Sequence, residues 1–236
     1  MVPRQEKHRR KEYGEEYFTD WYGLVNPERL NVLSFNLEYL LRTQPEVKRI
    51  VDVGCGVGEF LAFCENREIE TYGMEISSFA IEEAKKRTKT KIVQLDVSKE
   101  HWPLQDNYFD AVVVFDVLEH VISDQFILRE AYRVLREGGV LFCTTPNNQG
   151  KLGKFLEHFM PDDPTHINKK NAAGWFKQLH DAGFHHIDIK GTIFHGMPPS
   201  PALRGKMKRY GLPVSVKPFF FPITFLCGTL YITAKK

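Results

Sequence analysis

Residues 49–60 (RIVDVGCGVGEF) constrain this chain more than any other stretch. The apolar run from Arg49 to Val53 has the length and composition of a buried strand, and the glycines after it release the backbone into a helix starting near Val57. Gly54, Gly56 and Gly58, at alternate positions, let the chain turn sharply and bring a ligand against main-chain atoms with no Cβ in the way. Amides at the new helix N-terminus can then receive a carboxylate or another anion. The spacing selects among nucleotide-like ligands. A dinucleotide fingerprint needs its third glycine at position 59, and Glu59 stands there.

The chain downstream repeats one theme. Residues 70–75 (ETYGME) have a strand pattern that ends in an acid, and Glu75 follows Gly58 by one helix plus one strand, so both loops fall on the same edge of a parallel sheet. Ser77 or Ser78 caps a helix to about Arg87. Residues 91–96 (KIVQLD) form a third strand that again ends in an acid, Asp96. Residues 109–115 form a continuous buried fourth strand, and Gly138-Gly139 turns a helix into a fifth strand over 140–145.

The stretch Asp52-x-Gly54-x-Gly56-x-Gly58, the phrase FDAVVVFDVLEHV at 109–121 and the run from Leu128 to Gly139 resemble, in this order, the motifs of the class I S-adenosylmethionine-dependent methyltransferases. The likeness is to their small-molecule branch, similar to the quinone-biosynthesis O-methyltransferases, and it covers roughly residues 48–190. It implies a Rossmann-like α/β fold: a seven-stranded, mostly parallel sheet of order 3-2-1-4-5-7-6, strand 7 antiparallel, with helices on both faces. It implies S-adenosylmethionine as cofactor and S-adenosylhomocysteine as product. Gly54, Gly56 and Gly58 would cradle the methionine end, Glu75 the ribose hydroxyls and Asp96 the adenine amino group, with Val97 near the ring. The backbone near Phe115 would meet the amino group, and Asp52 would support the loop and add negative potential. Cys55 and Ile76 complete the expected cofactor wall. In this fold such leading segments often cover the cofactor, which makes Tyr17 and Tyr22 lid residues.

Asp116, Glu119 and His120 have i, i+3, i+4 spacing, which on a helix shares one face. Quinone-biosynthesis O-methyltransferases carry a similar acidic-x-x-Glu-His pattern, some with a metal. The same Leu-Glu-His occurs in many metal-free relatives, so the expectation is no metal and an acceptor-facing role for His120. Asp163-x-Thr165-His166 resembles a segment that closes over the acceptor, and His166 is the expected general base, since imidazole ordinarily titrates near neutral pH.

Two segments flank the domain core. Residues 1–44 form a basic arm, an aromatic stretch and a docking helix started by Asn26-Pro27-Glu28; residues 45–236 form the catalytic domain. Helices are expected from Asn168 to about Ala182, with Trp175, Phe176 and Leu179 inward, and strands over 184–194 and 224–234. Between those strands, residues 195–222 insert five basic residues, no acid and Phe219-Phe220-Phe221. That composition suits a peripheral membrane contact or an acidic, greasy acceptor; packing of the phenylalanines on the sheet is the competing expectation.

The net charge of +2 provides no field for nucleic acid, four scattered cysteines suggest reduced thiols in the cytoplasm, and no apolar run reaches membrane-spanning length. The expected function is methyl transfer to an oxygen or nitrogen of a small or lipid-like acceptor. The alternative is a non-catalytic scaffold or regulator that keeps the fold and binds cofactor or product. A nicotinamide oxidoreductase fits poorly because of Glu59.

Overall fold

The computed structural model describes residues 13–21, 27–147, 165–192, 220–221, 224 and 228–236. Helix α1 (Pro27–Thr43) starts at the proline, whose fixed φ suits a first helical position and whose missing N–H is not needed there. The sheet then builds from β1 (Arg49–Val53), β2 (Glu70–Glu75), β3 (Lys91–Gln94), β4 (Phe109–Phe115), β5 (Leu135–Pro146), β6 (His185–Thr192), β7 (Phe220–Phe221) and β8 (Thr229–Lys235). Helices α2 (Glu59–Glu65), α3 (Ser78–Lys85), α4 (Asp124–Val134) and α5 (Ala172–Asp181) connect them.

The strands lie in the order β3-β2-β1-β4-β5-β8-β6-β7. The first five pair in parallel, and β8 runs antiparallel between β5 and β6. Without the two-residue β7, this is the expected 3-2-1-4-5-7-6 sheet with its last strand reversed. The parallel order carries the C-terminal ends of β1, β2, β3 and β4 to one edge, where ligands of open α/β sheets bind.

Side-chain alternation divides the core. Val51 and Val53 pack with Ile127, Leu128 and Ala131 of α4, whereas Ile50 packs with Leu37 and Leu40 of α1 and Phe60 of α2. Val112 and Val114 of β4 join the first face, Ala111 and Val113 the second. Each large side chain so buried stabilises the fold by about 1.5–3 kcal/mol.

Several elements differ from expectation. The last strand starts at Thr229, not Thr224, and Phe220–Phe221 makes its own short edge strand against Gly191 and Thr192. Phe220 lies against Phe35, Tyr39 and Tyr231, which takes it out of any membrane-facing set. Asn171 caps α5 by accepting from Gly174 N, while Asn168 donates from Nδ2 to the Leu118 carbonyl. Phe176 is 49% exposed, because Trp175 and Leu179 already fill the inward face. Tyr22 and residues 195–219 lie outside the described residues.

At the opposite edge from the site, Asp110 ties the sheet to its connections. Its carboxylate accepts from Lys48 N, Arg49 N and Arg136 Nε at 2.9, 2.8 and 2.6 Å. Burial alone would raise this carboxyl, but the Arg136 guanidinium and the two amides outweigh it and hold it below the ordinary range. Asp110→Ala should therefore destabilise the protein by about 2–4 kcal/mol at neutral pH. A depressed carboxyl stabilises above its unfolded value, so the gap between variant and parent in urea melts should shrink as pH falls below about 4.

Candidate cofactor and acceptor site

The glycine loop is shaped by its neighbours. Gly54 and Gly58 hold φ of 73° and 79°, in the left-handed region that side chains resist. A Cβ on Gly54 would sit 2.5 Å from Val117 Cγ2, and one on Gly58 would sit 2.9 Å from Ala84 Cβ. Gly54 thus lets the loop after β4 lie down on the loop after β1. Gly58 instead lets α2 meet α3.

Glu75 closes β2 and binds the glycine loop directly. Its Oε2 accepts from Gly56 N at 2.9 Å, and its Oε1 accepts from Ile76 N and Ser77 N at 2.8 and 2.9 Å. A carboxylate offers about four acceptor positions, so one remains for a ligand hydroxyl in this arrangement. Burial raises its carboxyl although all three amides pull it down. Asp96, just beyond β3, accepts from Ser98 N and Oγ and pairs with Lys99 Nζ at 2.9 Å. For this acid, burial is outweighed by Lys99 and Ser98, and the carboxyl falls below the usual range.

These loops border a cleft of about 710 Å3, open mouth included, a size suited to a nucleoside-like ligand. Its floor and walls are Gly54 and Gly56, Glu75 and Ile76, Asp96 and Val97, then Phe115, Asp116 and Val117. Tyr13, Tyr17 and Phe18 complete it from the N-terminal segment, where Tyr17–Trp21 forms a π-helical turn. Ser77 Oγ caps α3 and also donates to the Tyr13 carbonyl at 2.6 Å, fastening this cover to the loop that carries Glu75. Ser77→Ala should cost about 1 kcal/mol of stability, read in a denaturant titration.

Most of the expected cofactor residues meet in this cleft. Asp52, Cys55 and Gly58 do not line it. Asp52 lies beneath the loop on the Ile50 face, Cys55 Sγ packs toward Gly73, and Gly58 serves the helix contact.

His120 and Val121 form the far wall. Here the helical spacing fails: Asp116 takes φ 53°, and Leu118–His120 is one turn of 3-10 helix, so Asp116, Glu119 and His120 share no α-helical face. Asp116 turns back to the sheet, accepting from Thr144 Oγ1 at 3.0 Å. His166 takes its place, with its ring centroid 4.7 Å from that of His120. His120 Nδ1 is hydrogen-bonded with Thr165 Oγ1 at 2.8 Å, and Asn168 N donates to the Glu119 carbonyl at 2.9 Å, fastening 165–168 to this turn. Glu119, 1% exposed, accepts from Thr145 Oγ1 at 3.3 Å. Glu119, His120 and His166 each bring a donor atom within 4.8 Å of the others. Imidazoles beside a carboxylate have the chemistry of proton transfer and of metal binding alike.

Tyr13, Phe18 and Arg29 are among the contributors not expected at the site, as are the wall residues Val117 and Val121. Tyr13 and Phe18 belong to an aromatic cluster that composition marks without ranking its members. Arg29 had no local signal: α1 has the pattern of a docking helix, yet Arg29 Nε reaches Glu59 Oε2 at 3.1 Å, and its charge acts on Asp52 and Glu75.

A parallel sheet with a glycine loop after its first strand and acids closing the next two defines a nucleoside-binding α/β fold. Comparison with known proteins narrows it. The profile of a family described as a methyltransferase domain matches residues 17–189. The chain is 30% identical over 165 residues to a probable S-adenosylmethionine-dependent methyltransferase of Mycobacterium tuberculosis, covering 69% of this chain but 56% of that protein. It is 29% identical over 190 residues to a ubiquinone biosynthesis O-methyltransferase of Escherichia coli, covering 72% and 77%. The fold matches a Thermotoga maritima SAM-dependent methyltransferase, described as a possible histamine N-methyltransferase, at TM-score 0.67 and 23% identity over 98% and 97% of the chains. This chain belongs to the S-adenosylmethionine-dependent methyltransferase family, whose cofactor is S-adenosylmethionine.

Proposed function

We propose that the chain transfers the methyl group of S-adenosylmethionine to an oxygen or nitrogen of a small or lipid-like acceptor. The observation that carries this reading is the single cleft in which Gly54, Gly56, Glu75 and Asp96 stand opposite His120, itself stacked edge-on with His166. The residues fit the cofactor: Gly54 lets Val117 close against the loop so that both border the cleft, and Glu75 keeps an acceptor position for a ribose hydroxyl. Asp96 would take the adenine amino group beside Val97. Arg29, paired with Glu59, adds a positive charge that acts on Asp52 and Glu75.

When bound, the cofactor supplies an already activated methyl group. The protein's part is to hold the acceptor in line, exclude water and move a proton. Tyr13, Tyr17 and Phe18 would exclude water. His166 would accept the acceptor's proton, and Glu119 beside the histidine pair would stabilise the imidazolium that results. The most exposed large apolar residues described are Ile122, Ile167 and Phe176, and the first two follow His120 and His166 by two positions and one. An apolar rim beside the proton-accepting groups favours an acceptor with an apolar part. With Phe220 packed on the sheet, the proposed membrane contact of 195–222 would rest on its basic residues.

The test supplies labelled S-adenosylmethionine and a cell extract, then separates organic from aqueous phases. Label in the organic phase supports a lipid-like acceptor, and label only in the aqueous phase supports a small polar one. No transfer in either phase, with tight S-adenosylhomocysteine binding, would favour the scaffold. With the acceptor in hand, His166→Ala should lower turnover about 100-fold or more while cofactor affinity stays near the parent's. Equal activity from pH 6 to 9 in variant and parent would remove His166 as the base.

A further inference from the structure

Three buried carboxylates adjoin the glycine loop: Asp52 from β1, Glu59 from the first turn of α2 and Glu75 from the end of β2, at 4, 4 and 6% exposure. Their compensation is unequal. Glu75 accepts three backbone N–H groups, and Glu59 pairs with Arg29 at 3.1 Å. No hydrogen bond from the described residues reaches the Asp52 carboxyl. It feels Arg29 from α1 as an attraction and Glu75 from β2 as a repulsion, with the thiols of Cys55 on the loop and Cys64 on α2 also close enough to interact. Burial pushes both thiols up, so they stay neutral and leave the carboxylates as the titrating groups.

A buried acid with no hydrogen-bond donor and a second acid beside it is biased toward its protonated form even with Arg29 near, and a further positive charge shifts it toward the carboxylate. Glu75, which lines the cleft, also acts on Asp52 as a neighbouring charge, so a cation bound there is electrostatically coupled to this cluster. Both ligands carry an α-ammonium and a carboxylate; S-adenosylmethionine adds one sulfonium charge where S-adenosylhomocysteine, its product, has a neutral thioether.

We propose that at mildly acidic pH Asp52 is protonated in the ligand-free protein and releases that proton when S-adenosylmethionine binds, so that the buried carboxylates distinguish cofactor from product. The inference rests on the reading that this cleft holds the cofactor. The Asp52 O–H bond breaks, the electron pair stays on the carboxylate, and the proton passes to the buffer. Loss of the sulfonium charge on methyl transfer then favours reprotonation and weakens the hold on the product.

Burial raises Asp52 to about 7, above the ordinary aspartate value. Below that pH, binding of the charged cofactor must expel a proton, so its affinity should rise up to about tenfold per pH unit and level off above. The ligand-free protein should show the reverse trend. Its raised carboxyl stabilises the fold at low pH, a contribution lost as pH rises through about 7.

The experiment is calorimetric titration of each ligand near pH 6 in two buffers of different ionisation enthalpy. Both ligands' amino groups stay protonated there, since α-amino groups ordinarily titrate at about 7.7–8.0. S-adenosylmethionine should release close to one more proton per site than S-adenosylhomocysteine. Asp52→Asn should abolish the difference while both ligands still bind. An infrared difference spectrum of the parent should lose a protonated-carboxyl band on adding S-adenosylmethionine and keep it on adding S-adenosylhomocysteine, an answer independent of the variant's folding. Equal proton release by the two ligands, or a parent-like difference in Asp52→Asn, would overturn the inference and leave the methyltransferase reading intact. Binding of neither ligand would overturn both.

Discussion

Gly54→Ala should lower the melting temperature by about 5–12 °C and the affinity for S-adenosylhomocysteine by at least about tenfold. Two costs combine at this position. The left-handed backbone at φ 73° penalises any Cβ by roughly 1–2 kcal/mol. The new methyl would also lie 2.5 Å from Val117 Cγ2, and the β-branched valine has little rotamer freedom with which to withdraw. Relief of the clash displaces Val117, and with it Asp116 and Phe115 on the cleft wall. Adding Val117→Ala should recover part of the lost stability, because it removes the clash and not the backbone strain. A Gly54→Ala variant that melts with the parent would contradict the close approach of the two loops.

Glu75→Ala should be comparably severe, with about 2–4 kcal/mol lost in denaturant titrations and about 10–100-fold weaker cofactor binding. The side chain satisfies three amides at the meeting of the glycine loop and α3. Water entering from the open cleft keeps the loss below the sum of three unsatisfied groups. Glu75→Gln retains one acceptor oxygen and the shape, so it should lose less stability than Glu75→Ala while still binding cofactor more weakly. Unchanged affinity in both variants would remove Glu75 from the site.

The succession of strands and the gathering of the glycines, Glu75 and Asp96 at one edge were legible from local rules, while the full sheet order came from the family resemblance. Glu75 and Asp96 close their strands at helix-plus-strand spacing from the glycines, and the parallel topology then brings them to one edge. The failures came where tertiary contacts decide. Three residues at i, i+3 and i+4 suit an α-helix, but Leu118–His120 is too short to choose one, and Asp116 turns back to Thr144. Helix α4 runs straight into β5 at Leu135, since Leu135 pairs with Phe109 before the glycines arrive. Phe220 has the composition of a surface-seeking residue, yet β7 gives it three aromatic neighbours. Arg29 meets Glu59 across thirty residues of chain, a pairing no local pattern announces. His166 was legible as a residue type but not as the neighbour of His120, a contact made through Asn168 and Thr165.

The most direct test of the account is a backbone amide NMR titration of the parent protein with S-adenosylhomocysteine. The largest shifts should fall on Gly54, Gly56, Ile76, Val97 and Phe115, with smaller ones at Tyr13 and Tyr17 where the cover meets the cleft. Saturable shifts centred on another surface, or no shifts at millimolar ligand, would contradict the assignment of this cleft to the cofactor.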